Sequence, residues 1–300
     1  MSEGSSRPPS ALWVYSLLVL MVAFWSFNFI VARVALQEFP PLLAASLRAV
    51  FAGMALLPLY LWKGRTLDKE PWAAKDIPVL LALGVVGVTF NQVLFLLGYN
   101  RTSTTHAAII TGLLPLQVLT ISAAARIEQI TRPRVLGMLV ALIVVAVLQL
   151  ARGGGGHPPT LLGDALVFLS GTTFACFAVI GKRLTAKHGG LTVNTFAFLG
   201  GGTVLLPVIA WQLQTFDLGR VSATGWASVL YMAIFPSAVA YVIFYYALTH
   251  LPASRVSAFG YLQPLMATLL AVGLMGDQIS GTLVAGGGLV LTGVLLTERS

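Results

Sequence analysis

LLPLQVLTISAAARIEQITRPRVLGMLVALIVV, residues 113–145, returns 149 positions later as LQPLMATLLAVGLMGDQISGTLVAGGGLVLTGV, residues 262–294. Pro115 falls on Pro264, Glu128-Gln129-Ile130-Thr131 on Asp277-Gln278-Ile279-Ser280, and Gly137 on Gly286, within nine ungapped identities over 33 positions. Apolar composition alone supplies some of these matches. An acidic-Gln-Ile-hydroxyl segment set between two apolar runs in both copies is much harder to obtain by chance, and Pro58 also falls on Pro207. A duplicated unit is the economical reading.

The apolar runs give the unit its size. With 57% of 300 residues hydrophobic and 9% charged, the chain cannot present the hydrated surface of a soluble domain, and lipid is the solvent that fits it. A helix needs roughly 20 apolar residues to cross the hydrocarbon. Runs of that kind fall at 11–36, 41–62, 77–99, 105–126, 133–151, 161–184, 191–212, 223–249, 254–275 and 280–297. Ten runs in two copies make five per copy, and five is odd, so the second copy crosses the membrane in the opposite sense. The expectation is an all-α polytopic membrane protein with ten transmembrane helices as two inverted five-helix repeats. Its parts are a disordered cytoplasmic N-terminus (1–10), a first repeat (11–152), a Gly-rich linker (153–159) and a second repeat (160–300).

Charge tests the count independently. Alternate connections hold thirteen Lys and Arg on one side, including Arg7, Lys63, Lys75, Arg134, Lys187 and Arg299, and four on the other: Arg33, Arg101, Arg152 and Arg220. Arg48 falls inside a span. A wrong count would scramble this asymmetry, so the positive-inside rule places both termini in the cytoplasm of a cell membrane, taken as a bacterial inner membrane. The net charge of +8 is thereby explained by topology, and nucleic acid is not an expected partner.

Inverted repeats around a membrane-plane axis characterise secondary transporters, because two equivalent halves can exchange inward-open and outward-open arrangements about a central site. WSFNFIVAR at 25–33, Arg48 within the second span, and the repeated Pro, acidic and Gly pattern resemble the EamA branch of the drug/metabolite transporter superfamily. Within that branch the chain is most similar to bacterial YddG-type amino acid exporters. The resemblance implies ten helices, two inverted repeats, no ATP-binding domain, and export of small metabolites by alternating access, amino acids including aromatic ones foremost. Other drugs or metabolites of the same superfamily are the alternative.

Polar groups at mid-span depth should face a bundle interior or a watery cavity. These are Trp25 and Asn28 on the first helix, Asn91 and Gln92 on the third, Ser237, Tyr241 and Tyr245 at every fourth position of the eighth, and Tyr261 and Gln263 on the ninth. They form the expected substrate-binding set, against the plain alternative that they bond across helices and line nothing. Pro115 and Pro264 lack the N–H that would bind the carbonyl four residues back, leaving Thr111 and Gly260 as freed acceptors or hinge points. Arg48 has two readings: binding a substrate carboxylate, or reaching the interface from about 10 Å inside the helix start at 1.5 Å per residue. It is not counted in the set. Glu128 and Asp277 are expected to cap the helices that follow them.

No H-E-x-x-H, G-x-S-x-G or G-x-x-x-x-G-K-[ST] occurs, and Cys176 is the one cysteine. No catalytic residue, metal or cofactor is therefore expected. A channel or an intramembrane enzyme is the rival class. The expected partners of a monomer are a small-molecule substrate of the amino-acid class and membrane lipid.

Overall fold

The computed structural model describes residues 10–64, 75–151, 158–263, 266 and 270. The N-terminal tail, most of the 63–76 connection and of the linker, Pro264, Asp277, the Gly286–Gly288 triplet, most of the ninth span and the span at 280–297 lie outside the described residues.

Seven described helices are long and apolar enough to cross a membrane: α1 (Ala11–Glu38), α2 (Pro41–Gly64), α3 (Asp76–Tyr99), α4 (Thr104–Ala124), α6 (Leu161–His188), α7 (Gly190–Gln212) and α8 (Ala223–Leu248). Between α4 and α6 lies α5 (Arg132–Ala151), and α9 begins at Ala253–Ala258 with a tight turn at Phe259–Tyr261. At 20 residues, α5 reaches about 30 Å, the thickness of the hydrocarbon. The chain is thus an all-helical polytopic membrane protein.

Short hydroxyl side chains start four of these helices, α1, α4, α6 and α8. Ser10, Ser103, Thr160 and Ser222 each accept a hydrogen bond from the backbone N–H three residues on, at 3.0–3.3 Å, which satisfies a donor that the first turn leaves orphaned. Gly189, at φ 73°, ends α6 in a conformation open to few other residues, so α7 follows at once. The helix surfaces are inside out by soluble standards. Leu12, Leu61, Trp62, Leu136, Leu161 and Trp211 stand exposed, whereas Ser26, Asn28, Arg48, Gln92 and Asn194 are buried. Lipid accepts the first group and the bundle interior the second.

Packing crosses between the halves. α2 lies along α7, α1 along α8, α3 along α6 and α4 along α9. Moving five helices on maps this set onto itself. The contact of α2 with α7 shows the relation in detail: a Cβ on Gly53 would stand 3.3 Å from the Phe198 carbonyl, and one on Gly202 would stand 3.3 Å from Val50 Cα and 3.5 Å from Ala49. Gly53 and Gly202 are equivalent positions, as are Ala49 and Phe198, so the contact is reciprocal. As one number rises the other falls, so the two helices run antiparallel.

Two irregularities recur in both copies, the first at the same 149-residue offset and the second within two residues of it. α3 contains a π-helical turn at Val85–Phe90 and α8 one at Ile234–Val239. α4 breaks at Gly112-Leu113, between Thr104–Thr111 and Leu114–Ala124, and α9 tightens at Phe259–Tyr261. Pro115 consequently sits in the first turn of a new helical segment rather than within a continuous one. There its missing N–H leaves no gap in the helix ladder.

Candidate functional site

A cavity of about 100 Å³ opens between α1, α2, α3, α4, α6, α8 and α9, near the middle of the spans. Trp25, Asn28 and Phe29 face it from α1, Arg48 from α2, and Asn91, Gln92 and Phe95 from α3. Thr111 and Leu114 flank the break in α4, and Val167, Ser170, Gly171, Phe174, Tyr241 and Gln263 complete the wall.

The aromatic side is a cluster of edge contacts. Trp25 meets Phe174 at 5.8 Å between ring centroids and Tyr241 at 6.2 Å, and Phe174 meets Tyr241 at 5.6 Å. Trp25 and Phe174 are equivalent positions of the two halves. Their mutual contact means that the relation between the halves has its axis beside the cavity. Gln92 pairs with Tyr241, and Leu114 with Gln263, at the same offset, so both halves supply the wall from matching positions.

The π turn of α8 places two of the polar contacts. Such a turn offsets the regular ladder by one residue. The Pro236 carbonyl within it accepts from Trp25 Nε1 at 2.9 Å. Ser237 Oγ donates to the Met232 carbonyl at 2.8 Å and accepts from Arg48 Nε at 2.7 Å. Asn91 is engaged at both amide atoms: its Nδ2 donates to the Ser170 carbonyl at 2.9 Å and its Oδ1 accepts from Tyr241 Oη at 3.4 Å. Gln92 is not. Both its amide atoms, and Asn28 Oδ1, are buried without a hydrogen-bond partner among the described residues.

Of the expected set, Trp25, Asn28, Asn91, Gln92, Tyr241, Gln263 and Thr111 come together on this wall, and Ser237 stands behind Arg48. Tyr245 does not reach it. It lies one turn, about 6 Å, beyond Tyr241 along α8, with its hydroxyl 3.5 Å from the Phe177 carbonyl and its ring against Gly181. Tyr261 is fully buried outside the wall, its hydroxyl unpartnered among the described residues. Gly260 and Pro115 also lie off the wall. Arg48, which sequence reasoning set aside, is 6% exposed and forms part of it. Its position mid-span was the signal; only the neighbouring helix decides whether so long a side chain turns inward or toward the interface.

Polar ties close both ends of the bundle. Where α1 begins, Asp76 meets Lys187 Nζ at 3.0 Å and His188 Nε2 at 3.3 Å, and Lys182 Nζ donates to the Leu251 carbonyl at 2.6 Å. Glu128 caps α9 there by accepting from Ser254 N and Oγ, while its carboxylate also pairs with Arg134 at 3.4 Å. The expected cap on the helix after Glu128 is thus replaced by a cap on a more distant one. Where α1 ends, Asp164 accepts from Thr102 Oγ1 at 2.5 Å and meets His106 Nδ1 at 2.9 Å, and Glu38 accepts from Ser222 Oγ at 2.7 Å. Among the described residues no three His, Cys, Asp or Glu side chains converge as a metal site would require.

The model of the EamA-like transporter family matches residues 12–150 and again residues 161–299. An uncharacterized transporter of Archaeoglobus fulgidus is 29% identical over 289 residues, 96% of this chain and 98% of the relative. A probable terminal-alkyne amino-acid exporter of Streptantibioticus cattleyicolor is 28% identical, over 96% and 93%. The uncharacterized inner membrane transporter YedA of Escherichia coli is 25% identical, over 89% and 84%. A solved crystal structure superposes with a TM-score of 0.76 at 21% identity, over 97% of this chain and 99% of the other, which marks a shared fold.

Proposed function

Since the chain belongs to the EamA-like transporter family, we propose that it exports amino acids across a cell membrane by alternating access through the central cavity. The observation that carries this reading is the set of polar atoms on the wall that have no partner among the described residues, Gln92 Nε2 and Oε1 and Asn28 Oδ1. A buried polar atom without a partner costs roughly 1–3 kcal/mol. A bundle held together for its own sake has no use for three at one place, whereas a polar solute entering the cavity would satisfy them. The aromatic cluster beside them gives an apolar side chain something to pack on.

Size supports the choice of cargo. About 100 Å³ falls well short of the ~300–1,000 Å³ typical of pockets for drug-sized molecules. A small amino acid is closer to that limit, and an aromatic one requires the helices to part. The relative named as a probable amino-acid exporter points the same way.

Alternating access draws its support from the reciprocal, antiparallel contact of α2 with α7. An antiparallel pair of equivalent helices is related by a twofold axis across the helices, hence in the membrane plane, which is the inverted arrangement. The polar ties at the two ends would break and form in alternation. The Lys and Arg asymmetry supports cytoplasmic termini, and the membrane of the YedA relative supports an inner-membrane location.

The test is uptake of a panel of labelled amino acids into proteoliposomes carrying the purified chain, with and without a pH gradient. Saturable uptake that is accelerated by unlabelled substrate on the far side is expected. Flux that stays linear in concentration and shows no such counterflow would replace the carrier by a channel.

A further inference from the structure

The cavity carries a positive charge that nothing described neutralises. Arg48 is 6% exposed and lies on the wall. Among the described residues one of its five N–H groups is used, by Nε donating to Ser237 Oγ at 2.7 Å. Ser237 Oγ spends its own proton on the Met232 carbonyl at 2.8 Å, so it can only accept from Arg48. The described residues that face the cavity include no carboxylate. Asp76, Glu128 and Asp164 are held at the two ends of the bundle by Lys187, Arg134 and Thr102.

A guanidinium buried at that depth without an anion is costly. Its remaining donors are the four on the Nη atoms, which form the planar fork that matches the two oxygens of a carboxylate. With Nε tied to Ser237, the fork is the part left for a ligand. We infer that Arg48 anchors a carboxylate of the transported molecule, so that the cargo comprises carboxylic acids, and their amides, esters and organic cations are rejected. This deepens the transport reading above and rests on it. Among the described residues the wall holds a single guanidinium and no lysine, which suits one negative charge rather than a phosphate dianion. The oxygens of Gln92 and Asn28, without a partner among the described residues, are acceptors of the kind an ammonium group needs, so an α-amino acid can satisfy both ends of the polar wall.

The experiment is competition in proteoliposomes against the best-carried labelled amino acid, using three analogues: its amide, its methyl ester and its des-amino acid. The des-amino acid is expected to compete. The amide and ester should compete at least about thirtyfold less well, the factor lost when one partner of a buried charged pair is removed. Arg48→Met should abolish transport without lowering the thermal midpoint, because an apolar side chain replaces an uncompensated charge. Arg48→Lys, with the charge but not the fork, should retain a weakened preference for the acid. Equal competition by amide and acid in the wild type would overturn the assignment, as would a folded Arg48→Met with unchanged half-saturation. If no amino acid is carried but other carboxylates are, the amino-acid reading fails and the anchor stands. If no carboxylate is carried or raises the thermal midpoint, the anchor fails as well.

Discussion

Gln92 is where stability and transport pull in opposite directions. Its amide is buried with both atoms unpartnered among the described residues, so Gln92→Leu removes a desolvation cost and keeps the volume. We expect the thermal midpoint in detergent to hold or rise while transport is lost; a fall in the midpoint would mark the amide as structural. Asn91→Ala and Tyr241→Ala should also impair uptake. Asn91→Ala takes one donor from the Ser170 carbonyl, which keeps Thr173 Oγ1 at 2.8 Å, and removes the acceptor of Tyr241 Oη; this should cost about 1 kcal/mol, visible as a lower midpoint. Glycines separate by the same logic. A Cβ on Gly84 would stand 2.2 Å from the Ala197 carbonyl oxygen, whereas one on Gly260 meets, among the described residues, nothing nearer than Gln263 Nε2 at 3.8 Å. Gly84→Ala should therefore destabilise by about 1–3 kcal/mol and Gly260→Ala scarcely at all, as thermal melts of the two variants can check.

Elements were the most legible level of this sequence, up to a definite point. Apolar run length located α1 to α8 because crossing hydrocarbon is a local requirement that each segment meets alone. The amides of Asn28, Asn91 and Gln92 were legible as cavity groups for the same reason: at mid-span, lipid excludes them. What stayed hidden depended on a neighbour. The π turn that sets Pro236 and Ser237 toward Trp25 and Arg48 leaves no mark in composition. The Glu128 carboxylate reaches Ser254, 126 residues away, and no local pattern signals that choice. The break in α4 at Gly112-Leu113 lies in the turn ahead of Pro115, between the proline and the Thr111 carbonyl it cannot bond. Pro115→Ala should accordingly leave the thermal midpoint near that of the wild type. A reduced maximal rate at unchanged half-saturation is the expected transport phenotype, and an unaltered rate would remove Pro115 from the conformational step.

At the scale of the whole molecule, the halves are interleaved rather than adjoining, with α1, α2, α3 and α4 each packed on a helix of the other copy. Neither half has a bundle of its own to retreat into. Separately expressed 1–152 and 153–300 should therefore assemble when made together, while each alone should aggregate or be degraded; a stable, monodisperse single half would contradict the interleaving. Tags in the 63–76 segment and at the chain's end should be accessible from the same side, and one in the connection between α7 and α8 from the other. The paired π turns carry a further consequence, for ancestry. Val85–Phe90 and Ile234–Val239 occupy the same register of the two copies, and each holds one residue more than an α-helical turn would. Two separate insertions would have had to strike the same spot. One insertion before the gene doubled is enough, which makes the π turn older than the duplicated chain that now contains it twice.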